Sequence, residues 1–511
     1  MISLLAFRNI VYRPWRSVLL FFGYGVGVSV MIVLLSIGEA LLSQARDEKL
    51  IGGGSITVLP QGIDVEVMKT GGVGGLFFSI DHSRFIYRQL LASPRLTSLV
   101  SGVAPQIDGR VLYMVVGPGQ EYTVRAAGEI PSANAKVNAA PDLTAGSWTD
   151  DEGDRKWISP TLAELRHEID RFHFPPDSIA NPDSWAEWHY FNVLSADRKR
   201  WAFISLIVAG DVRAGDWGGS VTITLRDEGR ASRKFVSYIP RERVRFSTSE
   251  ADLRLGTSMV SVDGNGNYIV RATAAEENGG AGGTINVSLV VTPSRGAYFP
   301  GATYTSGDFV SGYTVPGLRA SATGQICVSG ECERFENAQS YHDHNWGVWR
   351  GVSWDWGASR AGAYTILYGR VIGPERQGSA TPLLVYLVDS LGFRSVFRPK
   401  NVAYEDNREI VINGRRVRVP SRAAFADVRG DDTLRVELSI EDAIGTDTRV
   451  QSGIATPFVG RKESERPAVL TGVGDPRNPY FIQMKGTARI SGRVGGSPIA
   501  GTGSGFFETY R

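Results

Sequence analysis

The sequence predicts a mainly β protein in which two antiparallel barrels follow one N-terminal apolar helix and a small mixed α/β segment. One long apolar run stands at residues 17–42, and no later run approaches its length. From residue 185 to the end, short stretches rich in Val, Ile, Thr and Tyr alternate with turn residues, and the chain has 60 glycines. Many short strands joined by tight turns produce this pattern.

The apolar run predicts a single transmembrane helix. Only Glu39 is charged between Ser17 and Leu42, and about twenty apolar residues suffice to cross the hydrocarbon core of a bilayer. A cleaved signal peptide has a shorter apolar core and a small-residue cleavage site. Because no such site follows the run, an anchor is the preferred interpretation.

Basic residues predict the orientation of this helix. Three arginines precede the run, whereas the charges after it nearly cancel, and positive residues that flank a span stay in the cytoplasm. These arginines are Arg8, Arg13 and Arg16. We therefore expect a cytoplasmic N-terminus at residues 1–16, a span at 17–42, and export of the remaining chain across a bacterial inner membrane into the periplasm.

Residues 43–175 are expected to form an exported linker segment of mixed character. Its glycine run at residues 71–75 lacks the Lys-Ser/Thr of a phosphate loop, so we expect no nucleotide there. Ser159 is placed to cap a helix whose apolar residues recur at helical spacing up to Phe172. We expect this helix to pack on the barrel that follows, and a helix on the membrane surface is the alternative.

Two barrels are expected after this segment, at residues 176–338 and 339–511. The pattern predicts roughly fifteen to eighteen strands, which is too many for one small barrel. The strongest local signal is Asn413-Gly414, which stands between two apolar stretches and predicts a two-residue hairpin turn.

Charge and cysteine content narrow the choice of partners and compartment. A formal net charge of +2 argues against a nucleic-acid-binding surface. Cys327 and Cys332 are the only cysteines, and the four residues between them can turn a hairpin. We expect a disulfide between them, which an oxidising compartment would allow to form.

The most informative motif is YHDHNWG at residues 341–347. On a strand, His342, His344 and Trp346 share one face, while Asp343 and Asn345 share the other. In one interpretation, one of these faces lines an aromatic pocket. In the other, the segment is a packed hairpin whose imidazoles are satisfied by backbone carbonyls.

Three kinds of chemistry can be considered for this cluster. Metal sites built on H-x-H pair it with a Glu four or five residues later, where this chain has Val348 and Trp349, so no metal is expected. A serine hydrolase would need a G-x-S-x-G elbow, which the sequence lacks. The third is acid/base chemistry in an apolar cavity, where a desolvated carboxylate or imidazole can protonate a double bond. This chemistry suits an isoprenoid-like ligand.

The motif, followed by WDWG at residues 354–357, resembles the signature of the carotenoid 1,2-hydratase (hydroxyneurosporene synthase, CrtC) and AttH-like family. WAEWHYF at 185–191 and GFFE at 505–508 resemble two further strands of that family. The resemblance covers about residues 180–511 and implies two lipocalin-like barrels with a hydrophobic cavity near their junction. Fungal Diels-Alderases have a similar fold, so the fold does not determine the reaction.

The resemblance also implies roles for individual residues. The family's H-x-W and Y-x-D positions, which act on the alkene, correspond to His344, Trp346 and Tyr368, with Arg370 in place of the acid. Asp343 is a nearby acid and a fourth catalytic candidate. The candidate ligand-binding residues are His342, Trp349, Trp354, Trp356, Glu187, Trp188 and Tyr190.

The N-terminus carries a second resemblance. LAFRNI at residues 5–10, RPWRS at 13–17 and GEALL at 38–42 resemble the first helix of FtsX/MacB-type ABC transporter permeases, over roughly residues 1–60. Those permeases have several spans, whereas one is predicted here. The resemblance therefore implies a protein that descends from such a permease or assembles beside one, with the permease or its ATPase as an expected partner.

Two functions follow from these observations. The first is a membrane-anchored module that binds a hydrophobic small molecule, either a lipid or an isoprenoid. The second is an enzyme that hydrates or isomerises such a molecule by acid/base catalysis, and Arg370 at the acid position favours the first. A purely structural scaffold is a third alternative. No cofactor and no nucleic-acid partner are expected.

Overall fold

The computed structural model describes residues 12 and 14–46, single positions and short stretches between 56 and 100, and residues 101–117, 120–137, 149–158, 161–175, 179, 182–277, 283–306, 309–373, 383–447 and 478–511. Arg8, Arg13, Ser159 and the glycine run at 71–75 lie outside the described residues. The chain forms two compact units, Met1–Ser79 with Ser101–Asp151, and Ile80–Val100 with Glu152–Arg511.

The first unit contains one long apolar helix. This helix, α1, runs from Pro14 to Arg46, and its segment Pro14–Ile37 is long enough and apolar enough to cross a membrane. Among the described residues it is the only helix of this kind. The unit also contains the antiparallel hairpin of β1 (Gln106–Gly117) and β2 (Gln120–Glu129) and the short helix α2 (Pro131–Val137).

The second unit is almost entirely strand after two helices. The helices are α3 (Glu152–Ile158) and α4 (Leu162–Ile169). The strands are β3 (Trp185–Leu194), β4 (Arg200–Asp211), β5 (Asp216–Asp227), β6 (Arg233–Pro240), β7 (Val244–Phe246), β8 (Asp252–Leu255), β9 (Ser258–Val262), β10 (Tyr268–Glu276), β11 (Thr284–Pro293), β12 (Phe299–Ser306), β13 (Phe309–Val328), β14 (Glu331–Val348), β15 (Ser353–Ala361), β16 (Tyr364–Ile372), β17 (Leu384–Asp389), β18 (Gly392–Phe397), β19 (Ala403–Glu405), β20 (Arg408–Ile412), β21 (Arg415–Val419), β22 (Arg422–Arg429), β23 (Asp432–Asp447), β24 (Tyr480–Val494) and β25 (Ser497–Tyr510).

The first large sheet closes on itself. In the described chain its strands are hydrogen-bonded in the order β11-β13-β14-β3-β4-β5-β6-β10, and β10 pairs with β11 to complete the ring. Strands β7 to β9 continue from β10, and β12 pairs with β13. Residues of β11 alternate between buried and exposed, as expected for a barrel wall with solvent on one side.

The second large sheet curls without a continuous ladder. Its order is β18-β17-β16-β15-β25-β24-β23-β22-β19. Side chains link its two sides: Arg429 on β22 donates to the Val396 carbonyl of β18 at 3.1 Å, and Asp427 accepts from the Arg398 amide at 2.6 Å. The expectation of a mainly β chain with two curled antiparallel sheets is thus confirmed.

The hairpin of β20 and β21 has the turn that the sequence predicts. Asn413 and Gly414 both have positive φ, 48° and 76°, as the favoured two-residue hairpin turn requires. Glycine adopts this conformation without a Cβ penalty, and Asn is among the side chains that tolerate it best.

A third apolar cluster fills the junction between the two barrels. It joins the outer faces of β3 and β4 to those of β15 and β25, and it is separate from the two barrel interiors. Strand β4 is therefore buried on both faces, which explains the continuous apolar run WAFISLIVA. Trp201 and Phe203 face the junction, whereas Ala202 and Ile204 face the first barrel's interior.

Two domain boundaries differ from the sequence-based expectation. The predicted change of barrel at residues 338/339 falls inside β14, which pairs with β3 from Gln339 to Val348. The backbone hydrogen bonds between β14 and β3 therefore extend the first sheet ten residues beyond the predicted boundary. The compact unit that contains the barrels also extends beyond residues 176–511, because it includes Ile80–Val100 and the chain from Glu152. The chain between β3 and β25 forms more strands than the predicted fifteen to eighteen, because several are only three to five residues long.

Two further local predictions can be compared with the structure. Cys327 and Cys332 face each other across the β13–β14 hairpin and form a disulfide. Thr161 caps α4, whereas the predicted cap, Ser159, lies outside the described residues. The predicted packing of this helix on the barrel is confirmed, because Leu165 and Arg166 are buried and Arg166 donates to the Pro293 carbonyl at 3.3 Å.

The cap of α4 provides a test of this packing. The Thr161 hydroxyl accepts from the Glu164 amide, and the Glu164 carboxylate accepts from the Thr161 amide. Thr161→Ala should cost about 1 kcal/mol of helix stability, which would speed amide hydrogen exchange in α4 about fivefold. Thr161→Ser keeps the hydroxyl and should exchange like the wild type. Equal exchange in all three proteins would show that tertiary contacts alone hold the helix.

Candidate functional site

Strands β3 and β14 separate two chemical environments. Their antiparallel register places alternate residues of both strands on opposite faces of the sheet. The face toward the interior of the first barrel carries Glu187, His189 and Phe191 of β3 with His342, His344 and Trp346 of β14. The face toward the junction carries Trp188 and Tyr190 with Asp343 and Asn345. The alternation predicted for the motif is present, and the cavity lies on its Asp343 side.

The junction cavity is aromatic with two carboxyl groups. Its lining residues are Trp188, Tyr190, Asp343, Asn345, Trp349, Trp354, Trp356, Val371 and Glu508. The space open to the centres of water molecules is about 30 Å³, enough for one or two waters. The cavity thus combines an apolar wall with a few polar groups, as ligand sites do.

Asp343 is held by two neighbours on its own strand. The Tyr341 hydroxyl donates to Oδ2 at 2.7 Å, and Asn345 Nδ2 donates to Oδ1 at 2.6 Å. Trp356 Nε1 in turn donates to the Tyr341 hydroxyl oxygen at 2.8 Å. Burial raises the pKa of Asp343 to about 8, against the effect of the hydrogen bonds from Tyr341 and Asn345.

Glu508 is the second carboxyl group of the cavity. Its Oε2 accepts from Trp354 Nε1 at 3.0 Å, and its Oε1 accepts from Gln483 at 3.3 Å. Burial raises the pKa of Glu508, although the donors Trp354, Gln483 and Tyr190 oppose the shift. The carboxyl group is thus shifted toward its neutral, proton-carrying form.

Tryptophan rings form the walls around these acids. The ring centroids of Trp188 and Trp349 lie 4.5 Å apart, and those of Trp349 and Trp354 lie 5.6 Å apart in an edge-to-face arrangement. The indole of Trp356 covers Gly369 of the neighbouring strand β16. The absence of a side chain at Gly369 lets this indole lie against the sheet.

On the other face of β14, imidazoles surround Asp170, the residue that follows α4. Oδ2 of Asp170 lies 2.9 Å from His342 Nε2 and 3.6 Å from His189 Nδ1, while Oδ1 lies 2.6 Å from His344 Nδ1. His344 Nε2 lies 2.7 Å from Glu187 Oε1. All of these side chains are buried.

This cluster is a chain of alternating carboxylates and imidazoles. Burial opposes the charge on Asp170, but His189, His342 and His344 hold its pKa well below the usual range. Burial likewise opposes the charge on His344, yet Asp170 and Glu187 raise its pKa to about 10. Burial lowers the pKa of His189 to about 4. The two carboxylates thus favour the protonated form of His344.

The cluster continues to the edge of the barrel through His173. Its backbone amide and Nδ1 both contact Glu187, the amide at 2.9 Å and Nδ1 at 3.0 Å. Its ring stacks on Trp346 with centroids 3.6 Å apart. Two groups in the cluster have the geometry of metal ligands, Asp170 with His189 and His342, and His173 with Glu187 and His344.

The structure divides the predicted site residues into three places. Those at the junction cavity are Asp343, Trp188, Tyr190, Trp349, Trp354 and Trp356. Those in the carboxylate–imidazole cluster are His342, His344, Trp346 and Glu187. Tyr368 is in neither, because it faces the interior of the second barrel and packs on Phe425 and Phe507. The structure therefore does not bring all of these residues together in one cavity.

Arg370, at the position where the resembling family has an acid, binds a different acid. Its Nε donates to Asp355 Oδ2 at 2.7 Å. Asp355 Oδ1 accepts from the Tyr404 and Thr509 hydroxyls at 2.7 and 2.6 Å. This buried network lies on the Tyr368 side of the second sheet, so neither residue of the Y-x-D position reaches the cavity.

Sequence reasoning missed four titratable residues of these sites. Glu508 stands within the GFFE motif and His189 within WAEWHYF, so the motif positions were available as signals. Asp170 and His173 lie just after α4, and nothing local to them indicates a site. Their role depends on where α4 docks, which only the tertiary structure shows.

Comparisons with solved structures give similar folds. No protein-family model and no curated protein matches the chain. A protein described as AttH from Nitrosomonas europaea is similar at 15% identity and a TM-score of 0.42, over 67% of this chain and 98% of that one. Kievitone hydratase from Nectria haematococca is similar at 13% identity and a TM-score of 0.36, over 68% of this chain and 98% of that one. CghA is similar at 13% identity and a TM-score of 0.37, over 68% of this chain and 97% of that one.

The shifted acid in the cavity predicts a pH dependence of stability. The unfolded chain releases the Glu508 proton near the ordinary value of 4.5, whereas the folded chain keeps it to higher pH. The contribution of neutral Glu508 is therefore complete below pH 4.5 and declines as the pH rises above it. Glu508→Gln should gain stability relative to the wild type as the pH is raised, measured by urea unfolding at several pH values. The exposed control Glu336→Gln should show no such gain. A difference in stability between Glu508→Gln and the wild type that stays constant with pH would contradict the raised pKa of Glu508.

The contact between Trp356 and Gly369 predicts a steric effect. A Cβ at position 369 would clash with the indole of Trp356, so Gly369→Ala should cost about 1–3 kcal/mol and push the ring into the cavity. Gly373→Ala is the matched control, because its Cβ would stand 3.6 Å from the Phe309 ring, an ordinary contact. Urea unfolding of both variants measures the difference. Equal stability of the two variants would show that Trp356 can move away freely.

Proposed function

We propose that the barrel unit binds an apolar, unsaturated ligand of the lipid or isoprenoid class in the junction cavity. The observation that carries this proposal is a cavity walled by four tryptophans with two buried carboxyl groups. Aromatic rings offer large apolar contact area and stack on conjugated chains. A simple packed core would have no reason to retain two carboxyl groups that burial pushes toward neutrality.

The size of the cavity requires ligand-induced opening. Its free space of about 30 Å³ holds water but not a polyene. Trp354 is the ring that would move, because its indole contacts Trp349, Phe481 and Tyr510 by edge or tilted contacts and is held by one hydrogen bond to Glu508. The ligand would occupy the volume that this ring vacates, with Glu508 at the polar end.

Binding can be tested with a long apolar fluorescent probe. Trp188→Phe replaces the indole of a lining ring that stays in place during opening, and the loss of buried aromatic contact of about 1 kcal/mol should weaken the probe's Kd about fivefold. Trp201→Phe is the control, because Trp201 belongs to the same junction cluster but does not line the cavity. Fluorescence titration of folded protein gives both Kd values. Equal weakening by both variants, or no binding by the wild type, would contradict the proposal.

Acid-catalysed hydration is a second candidate, favoured by the raised pKa of Glu508. The neutral carboxyl group would protonate one carbon of a double bond, and its carboxylate would remain. The tryptophan rings would stabilise the carbocation by cation–π contact. A water molecule would add to the second carbon and return its proton to the carboxylate, so that the sum is alkene plus water giving an alcohol.

Isosteric amides separate binding from hydration. Glu508→Gln cannot donate the acid proton but keeps the volume, so turnover of a polyene by the wild type should vanish while probe binding remains. Gln483→Leu, which removes only one donor to Glu508, should retain turnover at a changed pH optimum. Product analysis by chromatography and mass spectrometry measures turnover. No turnover by the wild type across a panel of polyenes would remove this candidate and leave binding alone.

The remaining proposal concerns the membrane. We propose that α1 anchors the chain with its N-terminus in the cytoplasm and the barrels in the periplasm, beside an FtsX/MacB-like transporter. The apolar segment Pro14–Ile37 and the exposed apolar side chains of α1 support the anchor. A reporter that is active only outside the cytoplasm, attached to Arg511, should give signal. Signal only from a cytoplasmic reporter would reverse the orientation, and co-purification of the permease would test the partner.

A further inference from the structure

The carboxylate–imidazole cluster on the interior face of β14 takes no part in the proposed function. It contains four histidines and two carboxylates, and Asp170, His342 and His344 are fully or almost fully buried. Two carboxylates buried in a barrel interior are stabilised by two compensating positive charges, one more than a protonated His344 supplies. We propose that Asp170, His189 and His342 bind a divalent transition-metal ion.

The three ligand atoms have suitable spacing. Asp170 Oδ2 lies 2.9 Å from His342 Nε2 and 3.6 Å from His189 Nδ1, and all three atoms lie within 4.8 Å of one another. Ligands about 2.0–2.1 Å from a tetrahedral zinc ion stand roughly 3.3 Å apart. Small side-chain movements are enough to receive the ion.

Two histidine nitrogen atoms face the position that the ion would occupy. His342 Nδ1 lies 3.0 Å from the Tyr190 carbonyl oxygen and must carry a proton to donate to it. His342 Nε2 faces Asp170 Oδ2 at 2.9 Å, beside the position that an ion bound by this carboxylate would occupy. His189 Nδ1 is buried and has no hydrogen-bond partner among the described residues. A metal ion between the three atoms satisfies both nitrogens.

The surrounding groups have the arrangement that supports metal ligands. Metal-bound histidines commonly donate their second nitrogen to a carbonyl, as His342 does to Tyr190. The other oxygen of Asp170 lies 2.6 Å from His344 Nδ1, and His344 Nε2 lies 2.7 Å from Glu187 Oε1. The buried hydroxyl of Tyr268 is next to Asp170 and can supply a fourth ligand or hold a water there.

The donor set indicates the class of ion. Two imidazole nitrogens with one carboxylate oxygen suit Zn²⁺, Fe²⁺ or Co²⁺, whereas Mg²⁺ and Ca²⁺ prefer oxygen ligands only. The site is closed by the barrel and by α4, as structural metal sites are. The ion would join the end of α4 to β3 and β14, the two strands that also form one wall of the junction cavity.

The test measures metal in the full-length chain, purified in mild detergent without a metal-affinity tag. Elemental analysis should find about one divalent transition metal per chain, and Co²⁺ exchanged into the protein should show the intense visible absorption of a tetrahedral site. In His189→Ala the metal content should fall at least tenfold. His167→Ala is the matched control, because His167 lies on α4 and accepts only from the Ala251 amide at 3.2 Å.

Two results would overturn the proposal. The first is a wild-type protein that contains no metal and shows only the spectrum of aqueous Co²⁺. In that case protonated histidines, and not a metal ion, would balance the charges of the two carboxylates. The second is a folded His189→Ala that keeps the metal of the wild type. If His189→Ala does not fold, the wild-type metal content and Co²⁺ spectrum still decide. Neither result bears on the junction cavity, which probe binding tests separately.

Discussion

The pairing of β14 with β3 is the interaction on which the rest of the structure depends. These two strands complete the wall of the first barrel, and the alternation of side chains gives that wall two chemically different faces. The face toward the junction carries Asp343 and the tryptophans, whereas the interior face carries the histidines that contact Asp170. A shift of one residue in the register would exchange the two faces, and both sites would be lost together.

The two faces of β14 stabilise their buried polar groups in different ways. In the junction cavity, Asp343 and Glu508 receive hydrogen bonds from aromatic neighbours, and burial moves both toward the neutral form. In the barrel interior, Asp170 stays charged because imidazoles surround it. The first arrangement suits proton transfer to an apolar ligand, and the second suits a fixed positive charge. The same strand therefore carries a candidate reactive site on one face and a candidate metal site on the other.

Much of the fold could be predicted from the sequence, because the relevant signals are local. The Asn413-Gly414 turn, the strands and the two faces of YHDHNWG each follow from a few neighbouring residues. The site could be predicted only in part. Asp170 reaches His342 through the docking of α4. Glu508 reaches the cavity because the last strand, β25, pairs with β15. Tyr368 was assigned from a motif position, but its neighbours Gly369 and Val371 are the residues of β16 that face the junction.

The central claim is that the junction cavity, and not a barrel interior, holds the ligand. A crystal structure of the protein with a bound polyene tests it most directly. The account predicts ligand density between Trp188, Trp354 and Trp356, with the Trp354 ring displaced and Glu508 at the polar end of the ligand. Density inside either barrel, with the junction tryptophans unmoved, would contradict the account.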